Sequence, residues 1–323
     1  MSTPTVSASV VVATYRRPKF LRKCLDHLSR QTIRPVRTIV VDASPDEESR
    51  KVVADFPDVE YRRNEAGVGT TSTSRAIGIA DLDEEVVAFV DDDAYAEPEW
   101  LERLLAPYVD PRVAAVGGRA LNGIAGEERE GLGEIGLLLP DGRLTGNFAA
   151  DPGRPIEIDH LLGANMSYRL AVARGLGGIH ELYPGTCLRE DADMPLRMQR
   201  HGWRIMYAPD ALVHHVAGDY SKGRRFDLRY EYYGARNHVV LMAMALGWRD
   251  QRARRYLITA ARQVFQNLIG GARALRDPHR SGVRAKGRGL ARGVTRAGAI
   301  AGGTLMGLIA ALIATARTRA QTP

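Results

Sequence analysis

Cysteine is scarce in this 323-residue chain, which has only Cys24 and Cys187, far apart in the sequence. Their spacing matches neither a zinc site nor a redox motif, so the sequence does not support either class. With 45% hydrophobic and 26% charged residues, the chain can still bury a sizeable core. We therefore expect one large globular domain, or one domain with an appendage, in a reducing compartment.

The N-terminal stretch MSTPTVSASVVVATY lacks both a basic segment and a long apolar segment. A signal peptide needs both features, so we expect none and predict a cytoplasmic location.

Acidic residues are sparse in the last third of the chain. Residues 217–323 carry 20 Lys and Arg against 5 Asp and Glu, a net charge of +15. Residues 1–216 carry 25 and 33, a net charge of −8. This asymmetry predicts an acidic body, residues 1–217, and a basic tail, residues 218–323, with different partners.

Strand-like runs rich in β-branched residues alternate with helical patterns over the first 121 residues. The strands are predicted at 9–15, 37–44, 59–64, 85–93 and 112–120. Such alternation predicts an α/β fold with a mostly parallel central sheet flanked by helices. The segment from about residue 120 to 155 is rich in glycine and is predicted to be an insertion.

Three aspartates, Asp91 to Asp93, follow directly after an apolar run. Each like-charged pair costs about 1 kcal/mol at 4 Å in water, so either solvent screens the run or a cation offsets it. Asp91 and Asp93 point to the same side of an extended chain. Mg²⁺ and Mn²⁺ are commonly held by one or two carboxylates together with substrate phosphates. Tyr15 and Asp42 also fall at predicted strand ends, where ligands bind in such sheets.

Other candidate residues have two explanations each. Asp42 is either a cap of the following helix or a contact to a nucleotide. Glu190 and Asp191 either complement the dipole of a helix that begins there, or provide a general base. His214 and His215 are adjacent in a predicted strand and face opposite ways, so one could ligate metal while the other packs.

Two phosphate-binding motifs are excluded by what their sequences require. The segment GVGTTS lacks the lysine of a P-loop. It also does not follow the first strand, as a dinucleotide fingerprint does.

Six segments then occur in a specific order. They are ATYRRP, VVDAS, NEAGVGTTSTSRAIG, FVDDDAYAEPEWL, LLGANMSYRLAVARGLGG and REDADMPLRMQRHGWRIMYAPDALVHH. In content and order they resemble the family 2 glycosyltransferases with the GT-A fold, over roughly residues 7 to 217. The resemblance implies inverting transfer of a sugar from a nucleotide-diphosphate donor, most commonly a UDP-sugar, with Mn²⁺ or Mg²⁺ as cofactor.

The resemblance also implies roles for individual residues. The nucleotide would be bound by Thr14, Tyr15, Arg16, Asp42, Arg75, Asp91 and Asp92. Among these, Asp42 would contact the base and Asp91 the ribose. The donor and acceptor loop would consist of Gly163, Ala164, Asn165 and Glu190. The metal would be held by Asp93 and His215, and Asp191 would be the catalytic base. The second strand ends VVDASP where many members have Asp-Asn-Gly-Ser, which leaves the donor base open.

The basic tail contains helical patterns. Residues 229–248 are predicted to form a docking helix, and residues 248–276 an amphipathic helix with an apolar stripe that includes Phe265 and Leu268. That stripe suits either an anionic membrane surface or the catalytic body. Residues 297–316 are uncharged and long enough to span a bilayer, but seven Ala and four Gly leave peripheral binding or helix packing as alternatives. The pair Gly303 and Gly307 favours close packing of helices.

We therefore predict a location at the cytosolic face of the membrane and an acceptor that is a glycan or a lipid-linked glycan of the cell envelope. Nucleic acid is not expected as a partner, because few aromatics interleave with the basic residues of the tail. A nucleotidyltransferase would carry a Gly-rich signature after the first strand, and ATYRRPKF has no glycine. A silent membrane scaffold would not need Asp91, Asp93 and Asp191.

Overall fold

The computed structural model describes residues 6–216, 227–276 and 283–321. The described chain divides into two compact units. The sheet unit comprises residues 6–138, 144–181 and 190–216, and the helical unit comprises residues 139–143, 182–189, 227–276 and 283–321. The predicted boundary between residues 217 and 218 lies outside the described residues. Two short segments from within the first two hundred residues belong to the helical unit, which the division at 217 did not anticipate.

The strands of the sheet unit form from the apolar, β-branched runs of the sequence. In chain order they are β1 (Ala8–Thr14), β2 (Thr38–Asp42), β3 (Val59–Arg63), β4 (Val86–Asp91), β5 (Ala94–Ala96), β6 (Val113–Leu121), β7 (Ile156–Glu157), β8 (Asn165–Arg169) and β9 (Arg204–His215). They make one sheet with the order β3-β2-β1-β4-β8-β6-β9-β5, and β7 also pairs with β9.

Most strands of this sheet run in one direction. β1, β2, β3 and β4 pair in parallel, and β6 pairs in parallel with β9. β8 lies antiparallel between β4 and β6, so those two strands share the direction of β1. Only the short β5 and β7 join β8 in the opposite direction, since both pair antiparallel with β9. The predicted α/β fold with a mostly parallel sheet is confirmed.

In its described residues the sheet unit also has 3₁₀ helices at Ala106–Val109 and Glu127–Arg129, and six α-helices. They are α1 (Pro18–Leu28), α2 (Glu48–Val53), α3 (Thr71–Ile79), α4 (Trp100–Leu105), α5 (Leu170–Gly175) and α6 (Glu190–Arg200). Alternate residues of β1 bury against opposite faces of the sheet, as the two-residue period of a strand requires. Val10 and Val12 share a core cluster with Trp100, whereas Val11 packs in the second cluster with Phe89. This double core holds the carboxyl ends of β1, β2 and β4 in place.

The glycine-rich segment 120–155 contributes to the core of the sheet unit. Ile135, Phe148 and Ala150 are buried in it. The carbonyl oxygens of Phe148 and Ala150 each accept a hydrogen bond of 2.9 Å from the hydroxyl of Tyr207 on β9. The insertion is therefore anchored to the sheet.

The helical unit is built on α7 (Leu228–Leu241), α8 (Gln251–Arg276) and α9 (Val283–Gln321), and a π-helical turn, Met242–Leu246, follows α7. Asp227 caps α7, because its carboxylate accepts hydrogen bonds from the N–H groups of Arg229 and Tyr230. The helical C-terminal region predicted from the sequence is present.

Candidate active site

The turn after β4 places the aspartate run at the carboxyl edge of the sheet. β4 ends at Asp91 and β5 begins at Ala94, so Asp92 and Asp93 form the connection. β5 pairs antiparallel with β9 in a register that sets Ala94 opposite His215. A residue from the far end of the domain is thereby brought beside the aspartates.

Asp91, Asp93 and His215 each offer a ligand atom, and the three atoms lie within 4.8 Å of one another. Nε2 of His215 lies 3.4 Å from Oδ1 of Asp93. Ligands on opposite sides of an ion with bonds of about 2.1 Å lie roughly 4 Å apart, so this group needs little adjustment to bind one. Carboxylates suit Mg²⁺ and Mn²⁺, and the set leaves positions for substrate oxygens. The resemblance assigned Asp91 to the ribose, whereas here its carboxylate belongs to the candidate metal group.

The charges within this group support one another. Burial opposes the charged form of His215, but its hydrogen bond to Asp93 and the charge of Asp91 outweigh burial, so the pKa of His215 is raised. Burial also raises the pKa of Asp93, but His215 and Arg17 reverse this and leave it below its usual value. Asp93 is thus held as a carboxylate.

Asp92 faces different partners from its neighbours. Its carboxylate accepts a hydrogen bond of 2.7 Å from the hydroxyl of Thr14 and one of 3.1 Å from Arg17. The same Arg17 nitrogen also donates to Asp93 at 2.7 Å. Burial raises the pKa of Asp92 to about 7, although Arg17 and Thr14 oppose it. The predicted nucleotide contacts of Thr14 and Asp92 are not supported by this placement, because both side chains are buried against each other.

Arg17 was not predicted as a site residue. It precedes α1, and 45% of its side chain is exposed, so it faces the aspartates from the solvent side. The sequence contains Arg16 and Arg17 side by side, and nothing in it indicates which of the two contacts the aspartates. Arg16 instead is exposed, with a left-handed φ of 54°, and its N–H donates to the hydroxyl of Ser44 at 2.7 Å.

Arg75 is buried beneath the aspartates and links three groups of the site. Its side chain is 3% exposed, and its guanidinium donates to Asp91 at 3.2 Å, to the carbonyl of Gly163 at 2.9 Å and to Glu190. The predicted nucleotide contact of Arg75 is therefore not supported, because its donors are directed at protein groups. A Cβ at position 163 would lie 2.8 Å from the Arg75 guanidinium, so a larger residue than Gly163 would displace Arg75 from this position.

The start of α6 carries the predicted base. Oδ2 of Asp191 accepts a hydrogen bond of 3.1 Å from the N–H of Gly163. Burial raises the pKa of the neighbouring Glu190 to about 7, against the opposing charge of Arg75. Asp91 and Asp191 are therefore connected through Arg75 and Gly163.

Two other residues of the predicted loop are structural. Ala164 is 1% exposed and packs in the core. The fully buried amide of Asn165 accepts a hydrogen bond from Trp100 at 2.8 Å and donates to the carbonyls of Arg119 and Ala211. This placement does not support a ligand contact of the Asn165 side chain.

The remaining predicted residues lie at the ends of β1 and β2. Asp42 is fully buried, with its carboxylate bonded to Ser44 and, at 3.1 Å, to the hydroxyl of Tyr61. The alternative role of Asp42 as a helix cap is wrong, because α2 begins six residues later at Glu48. Tyr15 is half-buried after β1.

His214 and His215 project to opposite sides of β9. His214 contacts Glu97 at 2.6 Å, while His215 contacts Asp93. The two-residue period of the strand therefore selects His215 for the site.

Comparisons with known proteins agree with this geometry. The model of "Glycosyl transferase family 2" matches residues 9–174, just over half of the chain. A glucosyl-dolichyl phosphate glucuronosyltransferase of Haloferax volcanii is 28% identical over 67% of this chain and 71% of the relative. An O-antigen chain rhamnosyltransferase of Salmonella typhimurium is 25% identical over 64% of this chain and 65% of the relative.

Solved structures show the same fold. A mannosyltransferase of Pyrobaculum calidifontis, in complex with GDP-Man and Mn²⁺, aligns with a TM-score of 0.60 at 18% identity, over 96% of this chain and 87% of that one. GalNAc-T7 with UDP, GalNAc and Mn²⁺ also aligns at 0.60, with 15% identity, over 75% of this chain and 48% of that one. The sheet order, the aspartates at its carboxyl edge and the family match lead to one conclusion: the chain is an enzyme that belongs to glycosyltransferase family 2.

Proposed function

We propose that this glycosyltransferase moves a sugar from a nucleoside diphosphate donor to an acceptor hydroxyl with inversion at the anomeric carbon. The observation that carries the proposal is the connection between the Asp91, Asp93 and His215 group and Asp191, through Arg75 and Gly163. This connection supports the proposal because it keeps the proposed cation site and the proposed base at one edge of the sheet.

Asp91, Asp93 and His215 would hold the divalent cation, Mn²⁺ or Mg²⁺. When bound, that ion supplies positive charge to the donor diphosphate as its leaving oxygen becomes negative. Asp91 is itself fixed by Arg75 at 3.2 Å, and Asp93 by Arg17 at 2.7 Å, so the carboxylates are oriented before a donor arrives. Arg17 is exposed enough to turn from Asp93 towards a phosphate, which its planar guanidinium suits.

Asp191 is the proposed general base. The N–H of Gly163 donates to one of its carboxylate oxygens, which orients the side chain. A base that accepts the proton of the acceptor hydroxyl as it attacks contributes about 10²–10⁴-fold to the rate. Attack from the face opposite the leaving diphosphate inverts the anomeric centre.

The donor we propose is a UDP-sugar, and the acceptor is a glycan or lipid-linked glycan of the cell envelope at the cytosolic membrane face. The curated relatives named above support the acceptor class, since one acts in O-antigen chains and another on a dolichyl phosphate carrier. The basic tail supports the membrane location, because residues 217–323 carry 20 Lys and Arg against 5 acidic residues.

Calorimetric titration of donor and Mn²⁺ tests these roles. Asp93→Ala should lose Mn²⁺-dependent donor binding and turnover, whereas Asp191→Asn should keep donor binding and lose transfer. Asp210→Asn, an exposed carboxylate on the same strand as His215, is the matched control and should behave like the unaltered enzyme. Full transfer activity in Asp191→Asn would overturn the base assignment. A thermal-shift screen of nucleotide sugars with Mn²⁺ identifies the donor, because a bound ligand stabilises the folded state by mass action.

A further inference from the structure

Helix α9 is long and apolar enough to cross a membrane, judged by length and composition. Its uncharged run, 297–316, has 20 residues, about 30 Å at 1.5 Å per residue. Length alone allows two arrangements, one across the bilayer and one along its surface. The packing of α9 within the helical unit distinguishes them.

One face of α9 lies against the backbone of α7. A Cβ at Gly303 would lie 2.2 Å from the carbonyl oxygen of Tyr232, and one at Gly307 would lie 2.6 Å from that of Arg236. The predicted close packing through this glycine pair is therefore present, with α7 as the partner helix.

The same face continues along the helix towards α8. A Cβ at Gly293 would lie 2.5 Å from the carbonyl oxygen of Asn267 on α8. The buried residues of α9 that form this face recur every three or four positions: Gly293, Ala297, Ile300, Gly303, Gly307, Ala311 and Ala314. Between the two crossings, Arg296 forms an ion pair of 2.6 Å with Glu231 of α7. Helix α9 is thus fixed to two helices over much of its length.

The partner α7 is a polar helix that cannot follow α9 into hydrocarbon. Its Arg236 donates to the carbonyl of Leu182, and its buried Asn237 donates to the carbonyls of Pro184 and Leu188. A charge at the centre of a bilayer is costly, and Glu231 and Arg236 both lie beside α9. An α9 that crossed the membrane would have to bring these charges with it or give up its glycine contacts.

The opposite face of α9 is apolar and exposed. It consists of Leu305, Met306, Ile309, Leu312 and Ile313, which are 42–64% exposed. At 3.6 residues per turn these five side chains fall within an arc of about 120°, on the side away from Gly303 and Gly307. Helix α8 also leaves Phe265 exposed by 63% and Leu268 by 41%, both from its predicted apolar stripe.

The charge around this apolar face favours anionic lipid as its occupant. Residues 278–323 contain eight Lys and Arg and no acidic residue. Arg317 directly follows the uncharged run and Arg284 lies at the start of α9, and both are exposed. A basic helix with one apolar face binds at the headgroup boundary, and each Lys or Arg near an anionic surface strengthens that binding.

We propose that α9 lies along the surface of an anionic bilayer, with Leu305 to Ile313 inserted at the acyl boundary, and does not cross it. The inference deepens the membrane location in the proposed function and is independent of the donor and base assignments. It describes a surface-bound enzyme whose acceptor is presented in the plane of the membrane.

Flotation of the full chain with vesicles tests the binding. Phosphatidylcholine vesicles that contain about 30% of the anionic lipid phosphatidylglycerol should bind the chain at least tenfold more strongly than vesicles of pure phosphatidylcholine. The double variant Ile309→Asn, Leu312→Asn should lose at least tenfold of this binding. Val109→Asn removes a 75% exposed apolar side chain of the sheet unit and should change nothing.

Labelling of sealed vesicles tests the orientation. Single cysteines at Arg284→Cys and Arg317→Cys, in a Cys187→Ser background, are treated with a membrane-impermeant maleimide added outside. Labelling of both positions supports the proposal, whereas protection of one position shows that α9 crosses and overturns it. Absence of vesicle binding also overturns it, as does a dimer in solution that the double variant dissociates. Unchanged Mn²⁺-dependent donor binding by the double variant separates failure here from failure of the catalytic assignment.

Discussion

Replacing Arg75 with methionine removes the guanidinium that pairs with both Asp91 and Glu190. The guanidinium is 3% exposed and the Glu190 side chain 7% exposed, so neither charge is screened by water. Removing one partner of such a buried pair costs about 3–5 kcal/mol of unfolding free energy, because the remaining charge is left uncompensated. Methionine conserves much of the side-chain length, so the loss of packing is small in comparison.

The loss of unfolding free energy in Arg75→Met should depend on pH, and the direction of that dependence follows from the pKa of Glu190. Burial already raises the pKa of Glu190 from 4.5 to about 7, even with Arg75 in place. Without Arg75 the folded-state pKa rises further, so the folded variant holds its proton more tightly than the unfolded chain does. The stability that this proton provides is fully present below pH about 4.5 and is lost as the pH rises through the folded pKa. The deficit of Arg75→Met should therefore be smaller at pH 5 than at pH 8, by at least about 1 kcal/mol.

Chemical unfolding at both pH values measures this difference, and Arg37→Met is the matched control. Arg37 also faces two carboxylates, Glu60 and Asp81, but its side chain is 32% exposed. An exposed ion pair contributes about 0–1 kcal/mol, so the control should cost little at either pH. Equal costs for the two variants, or a deficit of Arg75→Met that grows on acidification, would refute the reasoning. A second readout is Mn²⁺ affinity, which should fall because Asp91 loses its bond to Arg75.

Three further changes test separate parts of the structure. In chemical unfolding, the unfolding free energy of Glu190→Gln should rise relative to that of the unaltered protein as the pH increases from 5 to 8, by up to about 3 kcal/mol, because the unaltered carboxyl must ionise while buried. Asn237→Ala leaves two loop carbonyls without their donor and should cost roughly 2–4 kcal/mol in chemical unfolding; a loss below about 1 kcal/mol would contradict a buried role. Gly307→Leu should lower the melting temperature by several degrees through its clash with α7, whereas Gly298→Leu, with open space around its Cβ, should not.

The N-terminal half of the sheet could be predicted from the sequence because each strand there carries its own signal. The runs around Val10, Val40 and Phe89 are apolar and β-branched, and each is buried on both faces. Their ends were predicted within two residues, and with them the position of the aspartates. The family resemblance followed from the order of these segments and is confirmed by the family match.

The middle of the sheet could not be predicted in the same way. β8 has the sequence NMSYR, which is not an apolar run, yet it lies between β4 and β6. Its polar side chains are tolerated because each finds a buried partner: Ser167 bonds to Tyr108 at 2.9 Å, and Asn165 bonds to Trp100. These partners are more than fifty residues away in the chain, so no local pattern contains the information.

The same difference, between local sequence signals and contacts made by distant residues, explains which site residues could be located from the sequence. Asp93 and His215 were predicted as a metal pair from the resemblance, and the register of β5 on β9 brings them together. Arg75 was assigned to the nucleotide from the resemblance, by its position in the family's segment order. Its burial depends on Asp91 and Glu190 converging from positions 16 and 115 residues away, which sequence spacing does not reveal.

The three consecutive aspartates show why local charge repulsion does not decide their role. Asp91 is offset by Arg75 beneath the sheet edge, Asp92 by Thr14 and Arg17, and Asp93 by His215 and Arg17. The sequence left either solvent or a cation to offset this run, but the protein already provides a partner for each carboxylate. The candidate metal therefore competes with Arg17 and His215 for Asp93, so its affinity should depend on a donor phosphate that gives the Arg17 guanidinium another partner. Mn²⁺ binding should accordingly be weak alone and strengthen with a nucleoside diphosphate, and the Arg17→Ala variant should reduce that enhancement.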